Sequence, residues 1–201
     1  MAFTLLYVCT GNICRSPLAE RYTVHRLVDA APDLAHLVRV RSAGTRGLEG
    51  YPMDALAAAE LARHGGLGDG FAGHRLTSAD AGSAQLVLTM ERSQRADVLA
   101  EEPAALRRTF TLLEAADLAQ LVGTDGQLDA VPAGPMGLVA AMMARRSAAR
   151  IDDYDVADPI GQSAEVHAEV AVTITTAVDV LVDALVPSLR QLVTTAEPGR
   201  D

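Results

Sequence analysis

The chain of 201 residues is 49% hydrophobic and can bury one sizeable core, while its formal charge of −9 offers no basic face for nucleic acid or an anionic membrane. Aromatic residues make up only 3% and Trp is absent, so that core must be built from Ala, Leu and Val. Lysine is absent too, which makes every fixed side-chain cation an arginine, the residue whose planar fork grips phosphate in bidentate fashion; a codon bias explains that usage as readily as chemistry does.

Met1 to Val8 is apolar but lacks the basic flank of a secretory signal, and no run is expected to approach the length of a membrane span. A cytoplasmic protein with no membrane partner is the expectation. Cys9 and Cys14 are too few and too close for a structural disulfide framework, and a reducing compartment keeps them as thiols.

Phe3 to Val8 reads as a buried strand that stops at Cys9. Leu18 to Asp29 carries apolar residues at helical spacing, with Ser16 as the expected cap and Pro17 at the first helical position. Leu37 to Ser42 is a second strand, and Met53 to His64 an Ala-rich helix closed by Gly65-Gly66. Ala84 to Met90 is a third strand, followed by a polar helix to about Glu101, and Arg108 to Leu112 a fourth strand. Gly123 to Pro135 reads as a loop, Met136 to Arg150 as a helix, and Ile151 to Ala157 as an acidic connector. Ser163 to about Leu185 is a long last helix, with a frayed tail from Thr194. The expected organisation is one domain over residues 1–190, elaborated at about 101–157, with a flexible tail over 191–201. Strands alternating with helices predict a parallel α/β sheet covered on both faces, with ligands outside the carboxyl ends of the strands, where Cys9 falls.

The chemistry concentrates in Cys9-Thr10-Gly11-Asn12-Ile13-Cys14-Arg15-Ser16. A Cys followed six residues later by an Arg is a weak pattern alone. Here it brackets a tight loop that leaves a buried strand and enters a helix. Such a loop points successive N–H groups at one locus on the positive end of a helix dipole, where a phosphate dianion is stabilised and a thiol is favoured as thiolate. Arg15 adds a bidentate contact. A thiolate beneath a cradled phosphorus is set for in-line attack, giving a cysteinyl-phosphate that water hydrolyses, while the amides and Arg15 stabilise charge on the equatorial oxygens. Gly-x-x-x-x-Gly-Lys-Ser/Thr is absent, which removes the nucleotide P-loop reading.

Val8 to Glu20 resembles the signature of the low-molecular-weight protein tyrosine phosphatases, in their extended bacterial form. Ser42-Ala43-Gly44-Thr45, Pro52-x-Asp54, Gly73-His74-Arg75, Leu86 to Met90 and Asp158-Pro159 follow in the order that family shows. The resemblance implies a flavodoxin-like three-layer α/β domain, with a four-stranded parallel sheet between helices. It implies Cys9 as nucleophile, Arg15 as phosphate clamp, Asp158 as general acid and Ser16 as hydroxyl donor to the leaving thiolate. Asn12, Ser42 and His74 match a hydrogen-bond network that holds the loop, and Cys14 matches a second loop cysteine that can form a reversible disulfide with the oxidised nucleophile. No cofactor or metal is implied. The implied partner is a tyrosine-phosphorylated protein, by analogy a bacterial tyrosine kinase, with phosphate, sulfate or vanadate as occupants of the loop.

Bland alternatives stand beside these roles. Cys9 could be a buried inert thiol, and Cys14 a small filler beneath the loop. Asp158, ahead of Pro159 and a long helix, is also a good N-cap, with Ser163 as a rival; Asp152, Asp153 and Asp155 are alternative acids. Leu48, Tyr51 and Ile160 are candidates for an apolar wall against a phenyl ring. Ile13 stands where an arginine-phosphatase relative carries a small Thr, which favours phosphotyrosine over phosphoarginine. A protein-arginine phosphatase and a non-catalytic phospho-binding module are the competing functions, and arsenate reduction lacks the further cysteines it needs.

Overall fold

The protein is described from a computed structural model, over residues 2–124, 134–149 and 154–195. Strand β1 (Phe3–Cys9) lies between β2 (Val38–Gly44) and β3 (Leu86–Thr89), and β4 (Thr109–Thr111) closes the far edge. All pairings are parallel, in the order β2-β1-β3-β4. This is the flavodoxin-like sheet, and its register sets Cys9 opposite Gly44 at the carboxyl end.

Alternation along β1 divides the core. Leu5, Tyr7 and Cys9 face one cluster, shared with residues of helices α1 (Arg15–Ala30), α2 (Ala55–Arg63), α5 (Leu112–Thr124), α6 (Pro135–Ala144) and α7 (Ala164–Thr195). Leu6 and Val8 face a smaller cluster with Val87, Leu76 and residues of α3 (Ser78–Ser83) and α4 (Arg92–Glu101). Burying both faces explains why the strands read as unbroken apolar runs. Tyr7, Val8, Val87 and Leu88 are fully buried, and truncating one such side chain to Ala would cost about 2–5 kcal/mol.

Several boundaries differ from the sequence reading. Helix α1 starts at Arg15 with Cys14 at the cap position, and Ser16 is not the cap, because its hydroxyl is drawn down to the Cys9 sulfur. Helix α3, capped reciprocally by Thr77 and Asp80, is additional to the elements expected from the sequence. So is helix α5, in which Leu112, Ala115, Leu118, Ala119 and Val122 are buried. The supposed elaboration at 101–157 therefore contains a sheet strand and a core helix, and Phe110 at its centre is fully buried. Helix α7 runs ten residues beyond its expected end, through Pro187 to Thr195, so residues 191–195 are helical rather than tail. Ala164–Thr194 is also long and apolar enough to cross a membrane by length and composition, against the expectation that no run would be. Half of that span is buried, with Ile174, Val178 and Leu189 packed in the core, as befits a helix forming one layer of the domain.

Candidate active site

The loop between β1 and α1 is shaped by where its carbonyls go. Thr45 N–H donates to Cys9 O and Arg46 N–H to Thr10 O, both at 2.9 Å; Leu48 N–H donates to Gly11 O at 3.0 Å and Asp54 N–H to Ile13 O at 2.7 Å. In a planar trans peptide the N–H points away from the C=O, so the amides of Thr10, Gly11, Asn12 and Cys14 turn to the enclosed side. One of them, Asn12 N–H, meets Cys9 Sγ at 3.3 Å. The loop can close this tightly because Asn12 adopts φ 54°, a left-handed conformation that Asn tolerates. Gly44 lets the second strand approach: a Cβ there would lie 2.6 Å from Thr10 O and 2.9 Å from Asn12 N.

Polar groups brace the loop from beneath. Ser16 Oγ lies 3.0 Å from Cys9 Sγ, and Asn12 Nδ2 donates to Ser16 Oγ at 2.9 Å and to Ser42 Oγ at 2.8 Å. Ser42 donates onward to Glu20 Oε2 at 2.5 Å, and burial holds that carboxyl above its ordinary value despite this bond. Asn12 Oδ1 accepts from His74 at 2.7 Å, but through the main-chain N–H. The His74 ring instead faces Asp80 at 2.9 Å and Glu49 at 3.5 Å, and its hydrogen bond to Asp80 raises its pKa. His74 thus joins the network through its main chain, with its ring turned to Asp80 and Glu49.

Arg15 is 2% exposed although it is the cation of the site. Nη1 donates to Glu91 Oε1 at 2.6 Å and to Val156 O at 2.8 Å, and Nη2 pairs with Asp158 Oδ2 at 2.9 Å. Glu91, which caps α4, is not among the residues expected from the sequence; an acid two residues past the end of β3, with Gln94 three residues on, is its signal. Gln94 joins it to the loop, donating through Nε2 to Glu91 Oε1 at 2.9 Å and to Thr10 Oγ1 at 3.2 Å. Val156 N–H donates to Met90 O at 2.8 Å and ties the segment carrying Asp158 to the end of β3.

Asp158 does not cap α7. Its Oδ1 accepts from Ile160 N–H at 3.3 Å, and Ser163 stands directly before the helix. Asp155 is engaged with Arg92, whose main-chain N–H donates to it at 2.8 Å, and Asp152 and Asp153 lie outside the described residues. Asp158, about half exposed, lines a hollow of about 180 Å³ with Cys9, Thr10, Gly11, Ile13, Cys14, Arg15, Leu48 and Ile160. Leu48 and Ile160 supply apolar side chains to that lining. Tyr51 does not line the hollow and is 59% exposed. Cys14 is a buried free cysteine, and burial pushes its thiol pKa up, helped by the charge of Asp54.

A parallel sheet ending in an amide-lined cradle, with a cysteine at its floor and an arginine at its side, defines an α/β protein built to hold an oxyanion. Residues 4–120 match the family described as low molecular weight phosphotyrosine protein phosphatase. The chain is 42% identical over 107 residues to the low molecular weight protein-tyrosine-phosphatase Etp of Escherichia coli K12, spanning 53% of this chain and 67% of that one. A low molecular weight protein tyrosine phosphatase structure from T. tengcongensis superposes with a TM-score of 0.67 at 25% identity, over 92% of this chain and all of that one. The YwlE arginine phosphatase of Geobacillus stearothermophilus shares the fold with a TM-score of 0.67 at 24% identity, over 99% of each chain. The chain belongs to the low molecular weight phosphotyrosine protein phosphatase family and is a phosphatase.

Proposed function

We propose that the chain hydrolyses phosphotyrosine in proteins through a cysteinyl-phosphate on Cys9. The observation that carries this reading is the meeting of Cys9, the inward amides, Arg15 and Asp158 around one hollow. Cys9 Sγ attacks phosphorus in line; its electron pair forms the S–P bond as the P–O bond to the tyrosyl oxygen breaks. Inward amides and Arg15 hold the equatorial oxygens. Asp158 protonates the departing phenolate and then takes the proton of the water that cleaves the S–P bond. Ser16 Oγ, at 3.0 Å from the sulfur, donates to the thiolate as it leaves. In this reading Arg15 releases part of its contact with Glu91 or Asp158 as phosphate arrives.

Ile13, Leu48 and Ile160 make an apolar mouth that suits a phenyl ring better than a guanidinium, which favours phosphotyrosine over the phosphoarginine of the structurally similar arginine phosphatase. The substrate is a tyrosine-phosphorylated protein, and the site works in the cytosol, where both thiols stay reduced.

Turnover of aryl phosphates tests this. Cys9→Ala should remove hydrolysis of p-nitrophenyl phosphate by at least about 10³-fold. Asp158→Asn should slow phenyl phosphate by about 10²–10⁴-fold and p-nitrophenyl phosphate far less, because nitrophenolate needs little protonation to leave. Equal losses on both substrates would remove Asp158 from the acid role. A phosphoarginine peptide cleaved faster than its phosphotyrosine counterpart would reverse the specificity.

A further inference from the structure

Where the phosphate loop runs into α1, three residues distant in sequence converge. Cys14 ends the loop, Asp54 caps α2 and His167 sits in the first turn of α7, and one ligand atom from each lies within 4.8 Å of the others. His167 is 3% exposed, and its Nδ1 is buried with no hydrogen-bond partner among the described residues. Leaving a buried ring nitrogen unpaired costs about 1–3 kcal/mol, so this is an unusual way to use a core histidine. The atom is aimed into the cluster, 3.8 Å from Asp54 Oδ1.

We propose that Cys14, Asp54 and His167 form a binding site for a zinc-class divalent transition metal at the end of the phosphate loop. Thiolate, imidazole and carboxylate together suit Zn²⁺, whose bonds of about 2.0–2.3 Å set tetrahedral ligand atoms about 3.5 Å apart. The His167–Asp54 separation is already close to that, and the cluster needs to contract by about 1 Å at its widest. Asp54 Oδ1 accepts the N–H groups of Leu56 and Ala57, which fixes the carboxylate beside His167. Asp54, partly exposed, is the most accessible of the three and supplies the way in. On binding, the Cys14 S–H proton passes to solvent as the S–metal bond forms, with no change of oxidation state. Burial and the Asp54 charge keep Cys14 a neutral thiol in the empty site, and the cation would lift both penalties.

The site touches the catalytic reading because Cys14 also lines the hollow, and Asp54 N–H holds Ile13 O. Drawing Cys14 back toward His167 would shift the amides that grip phosphate, so bound metal should lower turnover. That consequence rests on the phosphatase mechanism proposed above; the binding itself does not.

The test uses the reduced full chain, Zn²⁺ affinity by competition with a chromogenic chelator, and the absorption spectrum with Co²⁺. Wild type should bind one equivalent of Zn²⁺, and its Co²⁺ form should show a thiolate charge-transfer band with tetrahedral visible bands. Cys9→Ala should keep both. His167→Phe, with His167→Gln as a polar replacement, should lose the band and weaken Zn²⁺ by at least about 100-fold, beyond what altering a merely supporting partner does. Circular dichroism confirms that each variant is folded. The proposal is overturned if folded wild type binds no Zn²⁺ at stoichiometric concentration. It is overturned equally if the band survives in both His167 variants, or disappears in Cys9→Ala, which would put the metal on the nucleophile.

Discussion

Replacing Asn12 by Ala should be among the most damaging single changes that leave Cys9 and Arg15 untouched. The Asn12 side chain is fully buried and makes three hydrogen bonds, to Ser16 Oγ at 2.9 Å, to Ser42 Oγ at 2.8 Å and from His74 N–H at 2.7 Å. Each is worth about 0.5–1.5 kcal/mol net, and the His74 N–H left without its acceptor adds roughly 1–3 kcal/mol. Ala at φ 54° pays about 1 kcal/mol more. Asn12→Ala should therefore cost about 4–8 kcal/mol and Asn12→Gly about 1 kcal/mol less, since glycine accepts that φ. The chain has no Trp, so urea unfolding at pH 7 is best followed by far-ultraviolet circular dichroism, with orthovanadate affinity measured alongside. His74→Ala is the control, because the main-chain N–H survives it and the loop should keep its grip on vanadate. If Asn12→Ala loses under about 1 kcal/mol and binds vanadate like wild type, the network does not hold the loop.

Gly44→Ala should displace the loop: its Cβ would meet Thr10 O at 2.6 Å and Asn12 N at 2.9 Å, both backbone atoms that cannot swing aside. A fall in kcat/KM for aryl phosphates of about 10²-fold or more is expected from a misplacement near 1 Å, and an unchanged value would contradict the close packing. The His74–Asp80 pair gives a pH dependence. The folded pKa of His74 is raised, so its stabilising share is complete below the ordinary histidine value and fades as pH rises through the higher folded value. Asp80 is partly buried, which opposes ionisation, but the Thr77 and His74 hydrogen bonds lower its pKa overall, and its share is lost only in acid. With His74 over a third exposed, screening should keep the difference to about 1 °C in Tm between pH 6 and 8. His74→Gln should flatten that slope, and an unchanged slope would place the proton elsewhere.

How much could be read beforehand follows from which interactions are local. Strands β1 and β3 announced themselves because both faces are buried, and the Cys9 to Ser16 loop because a strand end, a tight turn and a helix start fall within eight residues. Ser-Pro normally marks a cap, but the Ser16 hydroxyl turns inward to the Cys9 sulfur and the Asn12 amide, partners that spacing alone does not reveal. Helix α5 follows β4 without a break, so no loop residues mark its start, although Glu114, Asp117 and Gln120 recur on it at helical spacing. His74 joins the loop network through its main-chain N–H, a group that carries no side-chain signature. Glu91 and His167 act across 76 and more than 100 residues, where spacing says nothing.

The most direct test is the covalent intermediate. Asp158→Asn, mixed with p-nitrophenyl phosphate and quenched rapidly in acid, should carry one added phosphoryl mass, and tandem spectra should place it on Cys9 rather than Cys14. The same quench of Cys9→Ala should show none. A phosphoryl group on any other residue, or steady release of nitrophenol with no modified enzyme at any quench time, would contradict the cysteinyl-phosphate mechanism.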